Sequence, residues 1–316
     1  MFKFRAAFVV SATVGRWSWR SLVCAFAVLL PTGYAQAKLS VLATTTDLGY
    51  IVKQVGGDGV QVDTICKGTQ DPHFVEAKPS YMVKASHADL LVAVGLDLEV
   101  GYVPPILRGA RNPKILPGAK GYLEVGPQVS PIEIPTGSIT RAEGDVHPYG
   151  NPHFTLDPIR DGQAAVVIAD RMAELDPANA DKFKANASAF QKRIEAKTKD
   201  WAARIAKTGI TKIVTYHKTL NYFFDRFHIE NPIQLEPKPG IPPTSGHIIE
   251  VIDVIKSGHI PLILVENYFD PSVTRKIVDD VPSTRAAVVP VAVDGAPGTD
   301  STEELIEKIV TTIEGK

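Results

Sequence analysis

The sequence twice places a histidine behind a rigid Asx-Pro step. GTQDPHFVEAKPS at residues 68–80 carries His73, and GNPHFTLDP at residues 150–158 carries His153, with Asn in place of Asp. His217 comes directly after the β-branched run at 212–216, and Asp294 directly after the one at 286–293. Ligands of open α/β sheets gather beyond the carboxyl ends of the strands, so these four heads can meet. Three imidazoles and one carboxylate make an N₃O set suited to tetrahedral Zn²⁺, with every position filled by protein and none left for a reacting water. Pro72 and Pro152 restrict the backbone beside two of the rings, which lowers the entropy lost on binding.

Each residue also has a plainer reading. A single loop histidine is ordinarily a hydrogen-bonding residue, and it is the joint placement and the repeated Pro-His-Phe that favour ligation. Asp294 precedes Gly295 and also suits an ordinary turn. Asp300 reads as the cap of the last helix. His147, six residues before His153, is read as a solvated loop residue in preference to a feeder ligand. His87, His228, His247 and His259 are given structural roles, and Cys66 is read as buried packing.

Alternating strand and helix patterns supply the elements that would hold these residues. Apolar, β-branched runs at 39–44, 60–65 and 90–94 read as strands, with helices after the first and at 79–88, the rhythm of a parallel sheet. From Asp157 to Gly209 strand signals all but vanish. Phe183, Phe190, Ile194, Trp201 and Ile205 form one apolar face of a helix at 177–207, about 46 Å long at 1.5 Å per residue. Strand signals then return at 212–216, 261–265 and 286–293, with helices at 221–227, 245–256 and from Ser301 onward. The expected fold is α/β: two lobes, each a parallel sheet flanked by helices, at residues 38–176 and 209–316, joined by one rigid helix at 177–208.

Residues 1–37 hold four basic residues, no acidic one, and a nine-residue apolar run at 22–30, followed by Pro31 and Ala35-Gln-Ala37. This pattern reads as a secretory signal cleaved near Ala37, since a membrane-spanning helix needs roughly 20 apolar residues. Downstream stand 30 basic and 35 acidic residues, a net charge of about −5 with histidine neutral, which argues against nucleic acid. Cys66 is the only cysteine beyond the signal, so no internal disulfide forms.

The stretches GTQDPHFVEAKPS, ADLLVAVGLDLE, GNPHFTLDP, TYHKTLNYFFDRF, LILVENYFDP and GAPGTDS resemble the solute-binding proteins of zinc and manganese ABC importers, the ZnuA and TroA types, over the whole exported chain. The resemblance implies metal ligation by His73, His153, His217 and Asp294. His217 stands at a position that is His in zinc members and often Glu in manganese members. The loop from Asp294 to Asp300 is short for the family, and only GDVHPYG stands where some zinc members insert a long His- and Asp-rich loop. The implied protein is a periplasmic, monomeric carrier that captures Zn²⁺, with Mn²⁺ as the second choice, and delivers it to an inner-membrane ABC permease without itself entering the membrane. The alternatives are a secreted zinc hydrolase, for which no His-Glu-x-x-His helix is present, and a surface-displayed adhesin.

Overall fold

The computed structural model describes residues 7, 11, 38–137, 144 and 146–316. The expected signal segment thus lies outside the described residues, apart from Ala7 and Ser11. The described residues from Lys38 onward belong to one compact unit. Strand β1 (Leu39–Ala43) leads into helix α1 (Thr46–Gly56), whose cap Thr45 accepts from the Leu48 N–H and whose end is set by Gly57 at φ 52°. Then come β2 (Val60–Thr64), α2 (Pro79–His87), β3 (Leu90–Ala93), α3 (Val103–Ala110) and β4 (Tyr122–Glu124). These four strands form a wholly parallel sheet in the order β2-β1-β3-β4. The three residues of β4 carry too short an apolar pattern to register as a strand in the sequence.

Helix α4 (Pro158–Leu175) starts on Asp157, whose Oδ1 accepts from the Ile159 N–H, with Pro158 at the first helical position. A 3₁₀ turn (Pro177–Asn179) feeds helix α5 (Ala180–Thr208), so the regular α-helix begins three residues later than the Pro177 start read from the sequence. Gly209 closes it at φ 68°. The chain continues through β5 (Val214–Thr215), α6 (Asn221–Phe227), α7 (Ser245–Gly258), β6 (Leu262–Glu266), α8 (Thr274–Asp280), β7 (Arg285–Val289) and α9 (Thr302–Glu314). The second sheet, β5-β6-β7, is also parallel. Strand β7 stops at Val289 rather than running to Val293, because Pro290 has no N–H for the ladder. The cap of α9 is Ser301, not Asp300: the Ser301 hydroxyl accepts from the Glu304 N–H and donates to the Glu304 carboxylate, while Asp300 faces solvent.

Buried side chains cover both faces of each sheet. The apolar stripe of α5 divides between them. Phe183, Ala187, Phe190 and Ile194 pack into the core of the first sheet, and Trp201 and Ile205 into that of the second. One rigid rod therefore anchors both halves, and it is further tied to α9 by Trp201 Nε1 donating to Glu307 and Arg204 donating to Glu314. No helix among the described residues is long and apolar enough to cross a membrane.

Candidate metal centre

The repeated Asx-Pro-His step is the same turn in both places. The backbone N–H of His73 donates to Asp71 Oδ1 and that of His153 to Asn151 Oδ1, each at 2.9 Å. Asp157 and Asp270 make the same turn with Ile159 and Ser272, so the turn itself is generic and the histidine is what distinguishes the two copies. Beyond the turn the two diverge. The Asp71 carboxylate also takes the His73 ring, Nδ1 to Oδ1 at 2.7 Å. Asn151 instead spans to the second half, its Nδ2 donating to the Lys218 carbonyl beside His217 and to Glu133. Tyr222, buried on α6, fixes the same segment by donating to the Asn151 carbonyl.

His217 follows β5 at its carboxyl end. Its Nδ1 lies 2.7 Å from Glu236 Oε2, with both side chains almost fully buried. Its backbone N–H donates to Glu266 at the end of β6. Burial pushes the Glu266 carboxyl up to about 8. The Asp71 carboxyl, which burial alone would raise, is held below its ordinary value by the hydrogen bonds and charge of His73.

These elements bring His73, His153 and His217 together. One ring nitrogen from each lies within 4.8 Å of the others, and the ring centroids stand 5.1–5.5 Å apart. Two small cavities open onto them, one of about 220 Å³ beside His73 and His217 and one of about 140 Å³ beside His153 and His217. His153 is buried, and its Nε2 has no hydrogen-bond partner. Burial, then the neighbouring imidazoles, hold its pKa well below the ordinary histidine value, so the ring is a neutral lone-pair donor. Asp71 and Glu236 occupy the Nδ1 positions of His73 and His217, which leaves both Nε2 lone pairs for an ion. A buried ring nitrogen without a partner, set among two more imidazoles, is the pattern a cation satisfies.

Asp294 does not join them. It sits in an exposed turn at φ 60°, five residues past the end of β7, its N–H donating to the Thr299 carbonyl. Among the described residues the convergent metal-capable group is the three histidines. The loop carrying Asp294 is pinned against the first half by its backbone: a Cβ on Gly68 would lie 2.2 Å from the Val293 oxygen, and Asn267 donates to the carbonyls of Gly68 and Gly295. His147 is not the solvated loop residue read from the sequence. It is half-buried, with its Nε2 3.1 Å from that of His73. Sequence reasoning also missed Asp71 and Glu236. Asp71 was legible as the Asx of the turn, whereas Glu236, in a Pro-rich loop 19 residues from His217, carried no signal.

The chain matches the family model described as "Zinc-uptake complex component A periplasmic" over residues 41–315. It is 23% identical over 279 residues to the high-affinity zinc uptake system protein ZnuA of Yersinia pestis, covering 83% of this chain and 86% of that one. It is 25% identical over 255 residues to the manganese ABC transporter substrate-binding lipoprotein scaA of Streptococcus gordonii, covering 79% and 78%. A crystal structure of ZnuA superposes with a TM-score of 0.71 at 20% identity, covering 88% of this chain and 98% of that one, and so shares the fold. These relatives are named for metal uptake, and neither name is an enzyme's.

Proposed function

Because the chain belongs to the ZnuA family of periplasmic zinc-uptake components, we propose that it captures Zn²⁺ outside the inner membrane with His73, His153 and His217 and delivers it to an ABC permease. The observation that carries this reading is the buried, unpartnered Nε2 of His153 facing two imidazoles whose other nitrogens are held by carboxylates. Cargo binding rather than turnover suits a site that opens onto small cavities. The preference for Zn²⁺ over Mn²⁺ follows from the donors, since imidazole suits zinc and the harder manganese ion favours carboxylate and water oxygens. Under this reading the signal segment is cleaved near Ala37, residues 38–176 and 209–316 act as the two metal-binding lobes around the helix at 177–208, and the protein works as a monomer.

Native mass spectrometry during a zinc titration tests the reading. One Zn²⁺ per chain is expected, lost on chelation and in His217→Ala. Full occupancy in His217→Ala, His73→Ala and His153→Ala alike would exclude it. Affinity should also fall as the pH drops through the histidine range, because ligation requires neutral rings.

A further inference from the structure

His147 reaches the site from 74 residues beyond His73. Its ring is oriented on both sides. One nitrogen faces His73 Nε2 at 3.1 Å, and the ring lies against the Leu96 backbone. The Leu96 backbone is itself presented by a built turn. Gly95, Leu96 and Asp97 all take positive φ, and buried Glu99 accepts the N–H groups of Val94 and Gly95. With Asp71 holding the His73 Nδ1, the His73 Nε2 is turned to the His147 Nε2, and a cation between the two rings would be ligated by both. Two Zn–N bonds of tetrahedral geometry set their nitrogens about 3.3–3.4 Å apart, close to the separation observed. His147 also lines the same cavity of about 140 Å³ as His153 and His217.

We propose that His147 is the fourth ligand, closing onto the three-histidine group to give an all-imidazole shell in which Asp71 and Glu236, one bond further out, balance the charge of the ion. This rests on the zinc-carrier reading above and deepens it. The His147 nitrogen contacts the group through His73 and lies outside the set whose nitrogens are all within 4.8 Å of one another, so the shell contracts when the metal enters. The consequence is selectivity. A shell without a direct carboxylate ligand favours Zn²⁺ and disfavours Mn²⁺.

The test is zinc K-edge absorption of the loaded protein, together with Zn²⁺ and Mn²⁺ affinities by chelator competition, for the parent, His147→Ala and His147→Gln. Four imidazole scatterers are expected in the parent, and three plus one oxygen in either variant. Zinc affinity should fall by at least about 10–100-fold with one ion per chain retained, and the zinc-over-manganese preference should narrow. His147→Gln keeps a polar group for Leu96, so its failure to restore affinity separates ligation from loop ordering. Three imidazoles in the parent, or unchanged zinc affinity in both variants, would overturn the assignment while leaving the three-histidine reading intact. Loss of that reading has its own signature, zinc retained in His73→Ala and His217→Ala.

Discussion

Replacing Glu236 by Gln changes one charge and almost no volume at a place where charge matters. The Glu236 Oε2 lies 2.7 Å from His217 Nδ1, and the two side chains are 5% and 6% exposed, so little water screens them. In the parent this carboxylate holds the proton on Nδ1, keeps the Nε2 lone pair toward the metal and makes the ring a stronger donor. An amide oxygen can still accept from Nδ1, but a neutral hydrogen bond contributes about 0.5–1.5 kcal/mol where a charge-assisted one contributes about 1.5–3. The difference of about 1–2 kcal/mol corresponds to roughly 5–30-fold in zinc affinity. Glu236→Ala, which also strips the acceptor from the Gly240 N–H, should approach about 100-fold. Competition against a chromophoric chelator measures the affinities, and ¹⁵N shifts of the His217 ring report the tautomer. Affinities of both variants within twofold of the parent, with the ring tautomer unchanged, would refute the claim that Glu236 orients and activates His217.

Zinc at 100 times its dissociation constant should stabilise the fold by about 2.7 kcal/mol, read as a rise in melting temperature that chelation reverses. Burial raises the Asp47 carboxyl from 3.8 to about 7, so in that window the folded chain holds a proton that the unfolded chain has lost, and stability falls as pH rises. Asp47→Asn keeps an acceptor oxygen for the Val293 N–H and should remove that part of the slope, gaining up to about 4 kcal/mol above pH 7. Parallel pH profiles of variant and parent would count against it. Gly68→Ala places a methyl 2.2 Å from the Val293 oxygen and should cost about 1–3 kcal/mol while lowering zinc affinity through the displaced His73 loop, both readable in one thermal titration.

Much of this molecule is written locally. The apolar stripe of α5, the Asp157-Pro158 start of α4 and the two Asx-Pro-His turns depend on neighbours within a few residues, and the structure carries each of them. Strand β4 and helices α3 and α8 escaped notice because their short patterns are stabilised by long-range packing rather than by propensity. The misreading of Asp300 was local too: Ser301, one residue on, caps the helix through the Glu304 N–H and is held by the Glu304 carboxylate three residues further along.

By itself, then, the chain determined the chemistry on offer. His217 stands just past a strand, and His73 and His153 stand in turns closed by Asx side chains two residues before them, because such turns and strand ends arise from interactions a few residues long. Only the tertiary structure decided which groups meet. Asp294 follows a strand as a ligand should, yet the packing of its loop against Gly68 and Asn267 leaves it in solvent. His147, with nothing local to mark it, is carried to His73 across 74 residues, and Glu236 to His217 across 19. The orientation of a side chain is set by whatever packs on its backbone, and those partners lie too far along the chain for any local pattern to encode.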